Sequence, residues 1–259
     1  MKKSLGLGWV GMLALAAAAA AEIETGVAVD VPVVSAYVWR GQVLNDEAVA
    51  QPGLTGTIGG FAVNAWSSMD LTDNPNSSGE FDEMDWTVSY SKTVGKFELG
   101  VGVVQYTFPN STIETEADDG TTTVEDYPGT VEVFASVGVD VLLAPALAVY
   151  YDVDEIEGLY AVASVGHSFA LMDKVGLDLK ASLGFGDADY NAGYFGLDDA
   201  ALNDLVLSAA LPIAVTENLS LTPSVSYMML PDSDLEDAAE AAYGEKDSVY
   251  GGVTLSLAF

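Results

Sequence analysis

The chain has no cysteine, one histidine and only eight lysines and arginines among its 259 residues. Without cysteine there is no disulfide framework, no thiolate metal site and no cysteine nucleophile. Eight bases against 39 acids give a formal charge of −31, which rules out nucleic acid as a partner. Long apolar runs are missing too. Beyond residue 21 no stretch offers 18 consecutive apolar positions, so no transmembrane helix follows. Yet 50 % of the residues are hydrophobic, and they are spread over alternating segments. That combination points to a membrane protein that crosses with strands.

The one long apolar run lies at the start. Met1-Lys2-Lys3 is a short basic segment, an apolar run follows from Leu5 to about Ala18, and Ala19-Ala20-Ala21 supplies an A-x-A cleavage site. The expectation is a cleaved signal peptide over 1–21, a mature domain over 22–259 and export. Lys2 and Lys3 leave with it and no acid does, so the mature chain is more negative still. An acidic excess of this kind reads as a solvated face, a saline habitat or an anion-repelling pore. Charge alone does not separate the three.

The segment Ser248 to Phe259 shows the pattern most clearly. Val249, Gly251, Val253, Leu255, Leu257 and Phe259 share one face, while Ser248, Tyr250, Gly252, Thr254, Ser256 and Ala258 share the other. An apolar outside and a small, polar inside suit a strand between lipid and a watery lumen. Twelve candidate strands follow from such alternation and from turn signals: 27–39, 49–58, 61–71, 81–93, 97–108, 130–141, 147–153, 159–169, 175–185, 203–211, 219–229 and 248–259. Tight turns near 59–60, 94–96, 142–146, 170–174 and 212–218 alternate with acidic links that are mostly longer. A transmembrane barrel has this asymmetry between its two ends, and an even strand count returns both termini to the periplasm. The expected fold is an all-β, antiparallel, up-and-down barrel of about 12 strands, with 10 or 14 left open.

In the strands near 131–141 and 175–185 the charges fall on the inward face, where they avoid a cost of about 2–4 kcal/mol at the bilayer midplane. Glu83, Asp85, Glu98, Glu132, Asp140 and Asp178 are the expected pore-lining acids, with Arg40 and Lys180 as rare positive partners. Acids outnumber bases, so a wet lumen is expected over a plug of ion pairs. Two aromatic girdles are expected: Trp39, Trp66, Trp86, Tyr106, Tyr150, Phe185, Tyr227 and Tyr250 at the outer rim, and Phe61, Phe97, Phe169 and Phe259 at the inner. Pro32 interrupts the first strand, the strands near 159–169 and 203–211 alternate poorly, and Ser233 with Glu236 caps a short helix read as a loop decoration.

No catalytic constellation emerges. His167 sits on the lipid-facing register near the periplasmic end, and its neighbour Ser168 points to the opposite face. Asp232-x-Asp234-x-Glu236 begins like a calcium loop but places Asp237 where glycine is needed and Tyr243 where a bidentate glutamate is needed. No metal site and no cofactor is assigned.

Ser35-Ala-Tyr-Val-Trp-Arg-Gly41, then Gln51-Pro-Gly-Leu54 and Asn64-Ala-Trp-Ser-Ser-Met-Asp-Leu71, resembles the opening strands of the TorF-type porin family. The resemblance covers about the first fifth of the mature chain and implies an outer-membrane, porin-like role. Gly41 is expected to take a left-handed turn and Arg40 to anchor against luminal acids. The expected function is passive diffusion of small solutes with cation preference. Its partners would be outer-membrane lipid, the barrel assembly machinery that reads Phe259, and small solutes or cations. The alternative is a structural or surface-interaction barrel with a plugged lumen and cation-binding acidic loops.

Overall fold

Period-two alternation leaves each strand with one apolar and one polar face, and closing the sheet on itself is how such strands avoid unpaired edges. The computed structural model describes residues 25–72, 79–116 and 122–259, so the expected signal peptide lies outside the described residues. β1 (Thr25–Val34) is followed by a small hairpin of β2 (Tyr37–Trp39) and β3 (Gln42–Asn45). β4 (Val49–Ala50) and β5 (Gly53–Ile58) continue one another, and β6 (Phe61–Asp70), β7 (Phe81–Val94) and β8 (Phe97–Thr107) follow. β9 (Thr112–Glu116) and β10 (Thr122–Asp126) form a separate hairpin. β11 (Thr130–Val139), β12 (Ala146–Asp152), β13 (Leu159–Met172) and β14 (Val175–Gly186) lead into helix α1 (Ala188–Phe195). The chain ends with β15 (Ala201–Ala210), the short β16 (Ile213–Ala214), β17 (Leu219–Met229), helix α2 (Ser233–Tyr243) and β18 (Asp247–Ala258).

With β4 and β5 counted as one, twelve strands form a closed antiparallel barrel. Each pairs with its sequence neighbours, and β1 pairs β18 from Ala28 opposite Ala258 to Val34 opposite Gly252. The expected strands therefore stand, with one correction. The first does not run on to Trp39: the barrel ladder ends at Val34, and Tyr37–Trp39 folds back against Gln42–Asn45. Pro32 does not shift the ladder. Register is kept from Asp30 opposite Gly53 to Val33 opposite Ala50, and the Gln51 amide donates to the Pro32 carbonyl at 2.9 Å.

The outward face is apolar and bare. Val27, Leu54, Val63, Val88, Val101 and Val225 are each about half exposed, an arrangement that water would penalise and lipid rewards. Charged residues on the outward register of the barrel strands stay near strand ends, as with Asp82 and Lys92 of β7. Val101→Arg, mid-strand in β8, is expected to destabilise the barrel by about 2–4 kcal/mol in urea titrations from lipid vesicles. Ser136→Arg, on the inward register of β11, should cost clearly less. Equal costs would mean that the faces are wrongly assigned.

Poor alternation in β15 has a definite cause. Leu183 opposes Leu205 while Phe185 opposes Leu202, so the single Gly184 faces both Asn203 and Asp204. This bulge turns two consecutive polar residues inward, and both are buried. In β13 the inward positions Tyr160 and Val162 are large and apolar because they meet inserted helices rather than water.

The two helices are set by their caps. Asp187 Oδ1 accepts from the Tyr190 amide at 2.9 Å, and Gly196 closes α1 in a left-handed conformation. Asp232 accepts from the Asp234 and Leu235 amides, and Gly244 closes α2 in the same way. The cap of α2 is thus Asp232 rather than Ser233, and the helix is no surface decoration. Leu235 and Ala239 are fully buried and pack with Val43, Tyr190, Phe195 and the inward wall residues Tyr160 and Met228. A protein-like core fills the loop end of the barrel.

Candidate functional site

Small and polar residues line the turn-end half of the lumen. Ser89, Ser91, Gly100, Ser136, Ser164, Ser182, Thr222 and Ser256 all sit on inward registers. Glu98, Asp178 and Lys180 share this half, each partly buried on the inward face. Asp140 does not join them: it lies one residue beyond β11, exposed at the turn, with its amide bonded to the Lys96 carbonyl.

The loop-end half is built around Arg40. Trp39 pairs with Gln42, leaving Arg40 and Gly41 as a two-residue turn with φ of 47° and 87°. Two positive φ values make this the hairpin turn whose twist suits short strands, and glycine accepts it without strain. The turn carries the Arg40 guanidinium to Glu132 on the opposite wall. Nη1 and Nη2 donate to Oε1 and Oε2 at 2.7 and 2.8 Å, and the two side chains are 9 % and 1 % exposed. The Tyr106 hydroxyl donates to Glu132 Oε2 at 2.8 Å. The rings of Trp39, Tyr150 and Tyr160 lie 4.5, 4.3 and 4.5 Å from the guanidinium carbon, with Tyr190 at 6.0 Å. A paired, stacked and buried arginine of this kind is a rigid fixture.

Three further polar contacts hold the hairpin. The Tyr37 hydroxyl donates to Glu83 Oε2 at 2.8 Å, Asn45 Nδ2 to Asp70 Oδ2 at 3.1 Å, and the Tyr243 hydroxyl to Gln42 Oε1 at 2.7 Å. Asp85 lies inward beside this cluster, opposite Trp66 and Tyr106. α1 is pinned from the β15 bulge: Asn203 Nδ2 donates to Asn191 Oδ1 and its Oδ1 accepts from the Gly186 amide, both at 2.8 Å. Burial pushes the Tyr194 and Tyr243 hydroxyls above the usual phenol range, so both stay neutral.

Arg40, Glu83, Asp85 and Glu132 are thus brought together, while Glu98, Asp178 and Lys180 stand apart toward the turn end. The sequence reading missed Asp30, Asp70, Asp152 and Asp204 as inward acids. Asp152 accepts from Thr130 Oγ1 at 2.6 Å, and Asp204 from the Tyr160 hydroxyl at 2.7 Å. It also misplaced five of the eight residues of the outer girdle. Trp39, Trp66, Tyr106, Tyr150 and Tyr250 turn inward, whereas Trp86, Phe185 and Tyr227 face out. The inner girdle does face out, with Phe61, Phe97, Phe169 and Phe259 all well exposed. Parity carried the signal, since Tyr150 lies in step with Ala148 and Asp152.

His167 is exposed on the outward register, edge-on to the Phe169 ring at 4.6 Å. Among the described residues, no group of acidic or histidine side chains could hold a metal ion. Phe259 closes the chain beside β1, its amide donating to the Val27 carbonyl at 2.9 Å.

Residues 17–211 match the bacterial protein family of unknown function Gcw_chp, and the chain belongs to that family. The matched range contains Ser35–Leu71, on which the TorF-type likeness rests. No curated protein shows significant similarity. Among solved structures, the NanC porin superposes with a TM-score of 0.52 at 10 % identity, covering 88 % of this chain and 98 % of that one. An outer membrane channel from Pseudomonas putida F1 gives 0.51 at 11 % identity, covering 93 % and 97 %. At such identities the likeness is one of fold: a closed antiparallel β-barrel like those of porins.

Proposed function

We propose that this member of the Gcw_chp family is an outer-membrane channel for passive diffusion of small solutes, with a preference for cations. The observation that carries the reading is the inward face of the turn-end half. Serine, threonine and glycine dominate it, and such small side chains leave space and hydrogen-bonding capacity for water. Acids exceed bases along the described lumen, where Arg40 and Lys180 are the inward bases, and low-dielectric walls focus the field of that excess. The hairpin and helices at the loop end act as a constriction. In this reading residues 1–21 direct export, and Phe259 is the assembly signal.

Reversal potentials in a salt gradient test it. Protein reconstituted in planar bilayers should favour cations, and Glu98→Gln with Asp178→Asn should weaken that preference. Raising salt from 0.1 to 1 M should weaken it too, as the Debye length falls from about 10 Å to about 3 Å. Anion preference would refute the assignment.

The packed core at the loop end supports a second reading, a closed barrel that does not conduct and whose acidic loops meet cations or neighbouring surface components. Absence of conductance from folded protein would favour it.

A further inference from the structure

Arg40 is held as a ligand is held. Glu132 takes both terminal nitrogens side by side, Tyr106 orients that carboxylate, and tyrosine rings stack close to the guanidinium. The parts of this cage have separate origins. Glu132, Tyr106, Tyr150 and Tyr160 belong to β11, β8, β12 and β13, four neighbouring strands of the barrel wall, and Tyr190 belongs to α1. Only Trp39 arrives with Arg40 on the hairpin. The wall therefore keeps a carboxylate and its flanking rings wherever the hairpin tip goes.

Anchoring alone does not call for such a cage. The hairpin has three other polar contacts, through Tyr37, Asn45 and Gln42. A bidentate carboxylate between flat rings matches the shape of a planar cation with paired donors, and it matches a compact ammonium poorly.

We propose that Glu132, Tyr106, Tyr150 and Tyr160 form a recognition site for guanidinium-bearing solutes, which Arg40 fills at rest as a built-in occupant. A solute presenting the same group competes with Arg40, and displacement of the hairpin tip widens the constriction. The consequence for passage rests on the channel reading above. The site itself does not.

The test uses purified, folded protein in detergent, with methylguanidinium chloride as the probe and methylammonium chloride at equal ionic strength as the control. In Arg40→Ala, methylguanidinium should raise the melting midpoint by roughly 3–6 °C at ten times its dissociation constant. Methylammonium should do much less, and adding Glu132→Gln should abolish the shift. Equal shifts from both cations, or a shift that survives without Glu132, overturn the proposal. If Arg40→Ala does not fold, Arg40→Lys keeps a buried positive charge and replaces it. Tryptophan emission should then saturate at a methylguanidinium concentration about tenfold below that for methylammonium, a difference of about 1.4 kcal/mol. Loss of that preference likewise overturns the site. Selective binding without conductance would sink the channel reading and leave the site standing. Conductance without selective binding would do the reverse.

Discussion

Arg40→Ala and Glu132→Gln should each destabilise the protein by about 3–5 kcal/mol, among the largest effects of any single change in the lumen. Either leaves a nearly inaccessible charge without its partner, since the two side chains are only 9 % and 1 % exposed. The pair as a whole need not stabilise that much. Desolvating two ions offsets most of their attraction, so Arg40→Met combined with Glu132→Leu should cost less than either single change. Urea titrations followed by tryptophan emission check this, because Trp39 lies against Arg40, Tyr106 and Tyr194. If the costs of Arg40→Met and Glu132→Leu made singly simply add in the double variant, the two residues are not coupled and the pair does not pin the hairpin.

Gly41→Val should release the hairpin from the lumen. Its φ of 87° lies where β-branched residues are strained, and a Cβ there would stand 2.8 Å from Leu230 Cδ2. Strain and overpacking together amount to roughly 2–6 kcal/mol. The barrel ladders do not include this turn, so the damage should stay local. Limited proteolysis should cut between residues 35 and 48 in the variant and spare the same segment in the wild type. Gly59→Ala is the matched control: φ is 58°, but a Cβ meets nothing within 4 Å. An unchanged cleavage pattern in Gly41→Val would show that the hairpin is not held by the packing of its tip.

The barrel was legible because lipid and water impose opposite demands on alternate residues, and β18 and β11 follow them closely, with Phe134 on the inward face of β11 the clearest departure. Strand number and the asymmetry of the ends followed from the alternation of tight turns and mostly longer links. Legibility failed where the lumen stops being watery. Val162 and Tyr160 look like breaks in the pattern until α1 is seen packed against them, and Asn203-Asp204 looks irregular until the bulge opposite Gly184 is counted. The link over 186–202 read as an acidic loop, although Asp187 and Gly196 are ordinary helix caps. Glu132 and Arg40 were recognised as inward charges, but 92 residues of separation gave no sign that they meet. Of the tyrosines around them, Tyr106 and Tyr150 read as rim residues because closeness to a strand end outweighs parity in that reading, and Tyr160 and Tyr190 carry no such signal.

The central claim is that the lumen is a channel narrowed by a hairpin pinned at Arg40. Unitary conductance in planar bilayers tests it most directly, on protein whose folded state is confirmed by its shifted electrophoretic mobility without heating. Wild-type protein should give small, discrete steps, and Arg40→Ala should give clearly larger ones, because the hairpin tip loses its charged anchor. Folded barrels of both kinds that stay silent, or that conduct identically, would contradict the account.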